Sequence, residues 1–263
     1  MYQFKEIKVS YDGYDLSKIG WYSIGKPSYD LSYQLGLSRK ANFNEGIEYD
    51  EFKNITYDLS ELKITFCKLD NNFNALEITK EDKKRLLRVL NKKTPRSLVI
   101  NNREYVGVFT DLGDAWKNNA NNGYVEFTFK MTTPFALSNM LVKRIDCVKN
   151  ESVQIKCDCV ADEYIYPNIT IVPLGDTTDV TIINESNYTK LEFKGLIPNN
   201  CYSINCFTEQ CINENNPKEN VFNKIEDTDN FIFFEYGVND IKVISKNAKV
   251  VFMHKNKYII DEE

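Results

Sequence analysis

The run Gly123-Tyr-Val-Glu-Phe-Thr-Phe-Lys-Met-Thr-Thr-Pro-Phe-Ala-Leu-Ser138 carries the period on which the fold turns. Val125, Phe127 and Phe129 alternate with Glu126, Thr128 and Lys130. Successive side chains of a strand point to opposite faces, so this segment buries one face and wets the other. Upstream the pattern returns at Leu62, Ile64 and Phe66, spaced by Lys63 and Thr65. Leu98–Ile100 and Tyr105–Phe109 flank Asn101-Asn-Arg-Glu104 and read as the arms of a hairpin. Past residue 160, short strands are predicted at 164–172, 180–183, 190–193, 202–207, 231–235, 241–244, 249–253 and 258–260. Turn residues such as Gly175-Asp176, Gly195, Pro198-Asn-Asn200 and Gly237-Val-Asn-Asp240 punctuate them. Many short strands at this spacing suggest an antiparallel sandwich.

One segment breaks the period of two. Thr79 stands three residues before Asp82, a capping-box pattern in which each side chain satisfies the other's backbone amide. Glu81 and Asp82 suit the positive N-terminal end of a helix, and Lys83, Lys84, Arg85 and Arg88 follow. Leu86, Val89 and Leu90 then fall on one helical face, and Pro95 limits the helix.

Charge divides the chain. Residues 1–145 carry 22 Lys+Arg and 18 Asp+Glu (22 − 18 = +4), and residues 146–263 carry 11 lysines and 20 acidic residues (11 − 20 = −9), giving the net −5. All six arginines (Arg39, Arg85, Arg88, Arg96, Arg103 and Arg144) precede the change. Such a shift predicts two domains meeting near residue 145. They are read as 1–140, closed by Pro134-Phe135-Ala136, and 141–263, with the polar cluster Asn139, Lys143, Arg144, Lys149, Asn150 and Glu151 as an exposed connection. The expected fold class is mainly β: an N-terminal β-structure with one helix, then a C-terminal antiparallel β-sandwich.

Composition narrows the functions open to such a chain. At 263 residues, with 42% hydrophobic and 27% charged residues, it is a core-forming sequence rather than a disordered one. Its apolar runs are a few residues long, far below the roughly 20 that cross a bilayer as a helix, so no membrane insertion is expected. Met1-Tyr-Gln-Phe-Lys-Glu-Ile-Lys-Val9 lacks the apolar block of a signal peptide, and export through a cleaved leader is not expected. A surplus of four positive charges spread over 145 residues makes no basic stripe, which argues against nucleic-acid binding.

Chemistry-bearing patterns are sparse. Seven cysteines without a leader read as thiols. Cys157 and Cys159 alone are as close as zinc ligands usually lie, while Cys201, Cys206 and Cys211 are spaced by five. The single histidine, His254, is distant from them and reads as a surface imidazole at a strand end. Neither a metal nor another cofactor is expected. Gly20-Trp-Tyr-Ser-Ile-Gly-Lys26 satisfies most of a phosphate-binding loop, but Pro27 stands where a magnesium-binding hydroxyl belongs. No Gly-x-Ser-x-Gly elbow or His-Glu-x-x-His occurs. Acidic groups such as Asp227/Asp229 and Glu48/Asp50/Glu51 are what 38 carboxylates produce on a wetted surface. No catalytic residue is assigned and no enzyme is expected.

Several stretches resemble the phage distal tail proteins, ring components of siphovirus-type tail tips and baseplates. In residues 123–138 a strand delivers the chain to Thr133-Pro-Phe-Ala136, which looks like the end of that family's first domain. The helix at 79–91, the hairpin at 98–109 and this strand follow its order. Tyr166-Pro-Asn-Ile-Thr-Ile-Val172 and Gly237-Val-Asn-Asp-Ile-Lys-Val243 resemble the opening strand and the late Gly-x-Asn-x-Ile turn of its second domain. Departures are the cysteines at 201–211 and the long polar loop 211–230. The resemblance implies a first domain that assembles into a hexameric ring around the tail channel and a galectin-like second domain outside it. It implies a homo-oligomer with two kinds of partner, the tail tube protein and the tail-tip hub or tail-associated protein. The location it implies is the virion tail tip, assembled in the bacterial host cytoplasm, and it carries over nothing catalytic.

Arg39-Lys-Ala-Asn-Phe-Asn-Glu-Gly-Ile-Glu-Tyr-Asp-Glu-Phe52 sets Phe43, Ile47, Tyr49 and Phe52 among charges. It reads as an extended arm that pairs with a neighbouring subunit by strand addition, and equally as a surface hairpin within one subunit. These four residues are the candidate subunit contacts. The rival class is a carbohydrate-binding module that attaches to the host cell surface through the sandwich. Trp21 and Trp116, the only tryptophans, both lie in the first domain, so the second lacks that favoured stacking platform.

Overall fold

Alternating apolar residues become ladders in the computed structural model, which describes residues 6–24, 28–29, 33–42, 47–57, 61–70, 74–112, 124–133, 135–158, 164–226 and 231–259. The chain divides into two units, Met1–Ala136 with Ile259–Glu263, and Leu137–Tyr258. In chain order the first unit holds β1 (Glu6–Ile7), β2 (Val9–Tyr11), β3 (Tyr14–Asp15), β4 (Trp21–Ile24), β5 (Ser28–Tyr29), β6 (Tyr33–Asn42), β7 (Ile47–Tyr57) and β8 (Glu61–Lys68). After these come α1 (Lys80–Leu90), β9 (Arg96–Ile100), β10 (Arg103–Thr110), β11 (Tyr124–Met131) and β12 (Phe135–Leu137), within which the division falls.

The main sheet of the first unit runs β1-β4-β8-β11-β10-β9-β2-β3, and β5 adds to β8. Its centre is the pair read first from the sequence: Val125 faces Phe66, Phe127 faces Ile64 and Phe129 faces Leu62 across β11 and β8. Rings pack behind them, Tyr11 against Phe109 at 5.1 Å and 79°, Phe109 against Phe129 at 5.0 Å, and Phe66 against Phe127 at 5.9 Å. These edge-on and tilted contacts put positive ring edges on negative ring faces. Gly107 makes the approach of β10 to β11 possible, because a Cβ there would lie 2.2 Å from the Lys130 carbonyl oxygen. The β9–β10 hairpin turns on Asn101-Asn102 alone, tighter than the four residues expected. Both take left-handed φ values, 50° and 62°, which asparagine tolerates.

The capping box forms at the start of α1. The Asp82 amide donates to Thr79 Oγ1 at 3.2 Å, and the Thr79 amide donates to Asp82 Oδ2 at 3.0 Å. Lys68 pairs with the same carboxylate. Leu86 and Leu90 are buried and Val89 is half-buried, so the predicted face is the one that packs.

The second unit contains β13 (Leu141–Cys157), β14 (Asn168–Pro173), β15 (Val180–Asn184), β16 (Thr189–Phe193), β17 (Tyr202–Asn205), β18 (Gln210–Asn213) and β19 (Gly237–His254). β13 runs beside β19 from Leu141↔His254 to Cys157↔Gly237. On its other side β19 pairs with β14 over 248–253 and with β15 over 241–245. β14 continues to β17 and β18, and β15 to β16, so one long strand serves two arms of the sheet. A register shift between Cys147 and Lys149, opposite Ser245–Ala248, bends the pair where the arms separate. Lys149 takes a φ of 86° there, and the Cys147 thiol sits in the bend, donating to the Val243 carbonyl at 3.4 Å. Each arm buries one face, as Ile182, Leu191, Ile171, Ile204, Val243 and Val250 record. A sheet with one apolar face and no covering helix closes on itself, and the result is sandwich-like.

Four expectations change here. The polar cluster at 143–151, read as an exposed connection, lies inside β13, where Lys143, Arg144, Lys149, Asn150 and Glu151 stay exposed on both faces of the strand while Ile145 and Cys147 are buried between them. Strands expected separately at 241–244 and 249–253 are one strand, because the bend is a bulge rather than a turn. Residues 231–235 form a single bridge, Ile165↔Phe234, instead of a strand, while β18 has no counterpart in the sequence reading. His254 is buried, 5% exposed, since β19 runs on through it and its alternation carries Val250, Phe252 and His254 inward. Its ring meets Phe234 edge-on at 5.3 Å.

Candidate subunit-contact site

β6 and β7 form a two-stranded sheet of their own. Their register runs from Tyr33↔Tyr57 to Asn42↔Ile47 and slips once, where Gly36 faces Asn54 and Leu37 faces Phe52. Lys53 is the residue without a partner in that count, a bulge that re-aims the ribbon. Ile47, Tyr49 and Phe52 lie on β7 at register positions opposite Asn42, Lys40 and Leu37. Phe43 is outside the described residues. Residues 39–42 and 47–52 therefore lie at one end of a ribbon of ten residues against eleven.

The other chemistry weighed in the sequence takes structural places. Gly20 ends a 3₁₀ turn at Leu16–Ile19 with a left-handed φ of 75°, and β4 follows it directly. A phosphate-binding loop needs its strand before the glycines and a helix after them. Cys67, Cys147, Cys157, Cys206 and Cys211 are buried and Cys201 half-buried; Cys159 and Asp227/Asp229 are outside the described residues. Burial pushes the Cys67 thiol up to about 11 and Cys211 up to about 12, so neither is a thiolate near neutrality. Among the described residues no three His, Cys, Asp or Glu side chains gather as a metal would require.

The Gly-x-Asn-x-Ile stretch has a physical role. Gly237 takes a φ of 97° to enter β19, and Asn239, 1% exposed, clips the turn before it. The Asn239 amide nitrogen donates to the Glu235 carbonyl at 2.9 Å, and its Oδ1 accepts from the Glu235 amide at 3.0 Å. Asn184 extends the clip, donating to Asn239 Oδ1 at 3.1 Å and to the Phe233 carbonyl at 2.9 Å, and Asn187 donates to that carbonyl at 3.0 Å. Three asparagines thus fix the 233–239 segment against the β15–β16 turn.

Residues 135–254 match the family model of the phage tail C-terminal domain. No curated protein matches the sequence. Among solved structures, the Dit protein (gp 19.1) of phage SPP1 superimposes with a TM-score of 0.63 at 15% identity, covering 95% of this chain and 99% of that one. A chain of the phage P2 baseplate in its activated conformation with Ca gives a TM-score of 0.52 at 14% identity, covering 95% and 97%. Residues 135–254 are thus similar to the phage tail C-terminal domain, and the chain shares the fold of SPP1 Dit and of the P2 baseplate chain.

Proposed function

We propose that this chain is a structural ring component of a phage tail tip. Six copies close into a ring through their first units, the second units lie outside it, and the ring joins the tail tube to the tail-tip hub or receptor-binding apparatus. The observation that carries this reading is the fold shared across both units with SPP1 Dit, which is described as a paradigm of the hub adsorption apparatus in phages infecting Gram-positive bacteria. The β6–β7 ribbon supports it. A two-stranded ribbon is marginal in water by itself, and among the described residues this one pairs with no other strand. Its edges offer a neighbour unpaired backbone groups, and a cyclic ring needs each subunit to use two different surfaces. Ile47, Tyr49 and Phe52, with Phe43, supply the contact. The role is mechanical and requires no catalytic group.

Light scattering tests it. Six copies of 30.6 kDa give about 184 kDa, the mass expected under assembling conditions. Replacing 39–52 by a short Gly-Ser turn should return the mass to that of one chain. A protein that stays monomeric at every concentration, with no ring by electron microscopy even beside tail tube protein, overturns the reading.

A further inference from the structure

One long strand of the second unit keeps a free edge. Among the described residues β13 pairs with β19 alone, so the backbone groups on its other side meet no strand. An open edge of this length is a template for pairing with another chain unless something blunts it. The bulge at Cys147–Lys149 blunts one half, because Lys149 with its φ of 86° leaves the extended geometry that a straight partner strand follows. The half before it has no such device. There Ile145 and Cys147 turn inward and are buried, while Val142, Arg144, Asp146 and Val148 are exposed. Both valines are 62% exposed.

The order of this row selects the partner. A second β13, laid antiparallel and turned about Ile145, sets Val142 opposite Val148 and Arg144 opposite Asp146, and by symmetry repeats both pairs. Opposite residues of an antiparallel pair lie about 5 Å apart on one face, where unlike charges attract and branched side chains pack. Leu141, 38% exposed, then lies along the stem of Lys149. The register is specific. Buried positions must stay on one side of the joined sheets, so the two-fold passes through a residue. Moving it by one place, to 144 or to 146, sets Arg144 or Asp146 against its own copy. A strand carrying a single sign of charge would oppose one of these two groups, which argues against a purely acidic or basic partner segment. An isologous contact also closes on itself, so two chains use up the edge and no fibre grows from it. Nine residues a side is well under the roughly 20–30 of a standard interface, so the contact belongs to concentrated chains and is transient in dilute solution.

We propose that the 141–149 edge of β13 is a docking surface for a second copy of this chain, paired antiparallel about Ile145. It uses no residue of the β6–β7 ribbon, so this contact and the ring stand or fall separately. The test uses the full chain with Val142→Cys and Val148→Cys together, oxidised mildly at about 0.1 mM. A denaturing gel without reductant reads covalent pairs whether or not a ring forms. A two-chain band at 61.2 kDa (2 × 30.6) should hold most of the protein. Either cysteine alone should give at least about fivefold less of it. Adding Arg144→Asp or Asp146→Arg should lower the band by at least about fivefold, and adding both, which restores the pair with its signs exchanged, should bring it back. All these positions are exposed, and the variants should melt with the parent. The pairing is overturned by the lack of a two-chain band, by a ladder of higher bands, or by an equal band from either cysteine alone. A band that ignores the single reversals, or that the double exchange fails to restore, overturns it as well.

Discussion

The two units place their aromatic rings in opposite ways. In the first, Tyr11, Trp21, Phe66, Phe127 and Phe129 are fully enclosed, while Tyr14 and Leu76 reach the surface at 37% and 38% exposure. The second buries Tyr202, Phe193, Phe234 and Phe252, yet leaves Tyr164, Tyr166, Tyr188, Phe207 and Tyr236 in water. Its long bent pair is lined instead by Ile145, Ile155, Ile241, Val243 and Val250, branched side chains that suit a pleated surface. Its loops take their shape from Asn184, Asn187 and Asn239. Rings hold the first unit together. Amide bonds shape the loops of the second, and its outer rings are left in water.

The largest expected effect follows from the enclosed cluster. Phe129 is fully buried against Tyr11 and Phe109, and truncating such a ring removes its transfer energy and leaves a cavity. Phe129→Ala should lower the stability of the first unit by about 3–5 kcal/mol. In calorimetry the first unit's transition should drop while the second's keeps its midpoint. A loss below about 1 kcal/mol would mean the cluster is not what holds that unit.

How much of this was legible in the sequence depends on where the information lay. Leu62, Ile64 and Phe66, the 125–129 alternation and the Thr79–Asp82 box are local signals, and each reappears in place. β13 was hidden because a bulge at Cys147–Lys149 interrupts its period and both of its faces are exposed over 141–144 and 148–152, so it read as a connection. His254 was misplaced because a strand end and a buried strand look alike until the partner strand is known. The hairpin was visible as an amphiphilic stretch, but its pairing with 33–42 is a register fact that no single-strand pattern carries. The exposure of Tyr164 and Tyr166 was not legible because Tyr164-x-Tyr166 reads as ordinary alternation until Ile165 pairs with Phe234.

Acid should separate the units next. Burial holds His254 below its usual 6.5, and among the described residues neither ring nitrogen has a hydrogen-bond partner. A base with a depressed folded pKa takes up its proton on unfolding. Its stabilising contribution is complete above about pH 6.5 and is lost as the pH falls through the folded pKa. In the first unit, burial opposes the Asp82 charge, but bonds from Lys68 and Thr79 outweigh it and keep the carboxyl below its usual 3.8. That contribution is present above pH 3.8 and lost only below it. Between about pH 6.5 and 4 these groups predict that the second unit's melting point falls while the first's holds. The slope should approach 1.4 kcal/mol per pH unit at most, roughly that of one proton, and His254→Leu should remove it. A first unit that melts earlier on acidification would reverse the comparison.

The smallest effect is the sharpest check on the claim that the outer rings do not hold the fold. Phe207 is 73% exposed and is positioned by its own amide on Asn205 Oδ1, a bond that alanine retains. Its ring touches Tyr166 alone among the described ring contacts, at 5.7 Å, and such a pair is worth about 0.5–1.5 kcal/mol only when both rings are desolvated. Here Tyr166 is itself 38% exposed, so Phe207→Ala should change stability by no more than about 0.5 kcal/mol, the range of an ordinary surface substitution. Thermal melts of the variant beside Phe129→Ala would measure both ends of the comparison in one experiment. A loss above about 2 kcal/mol would place Phe207 in the framework of the second unit, and its outer rings could then no longer be read as side chains the fold does not need.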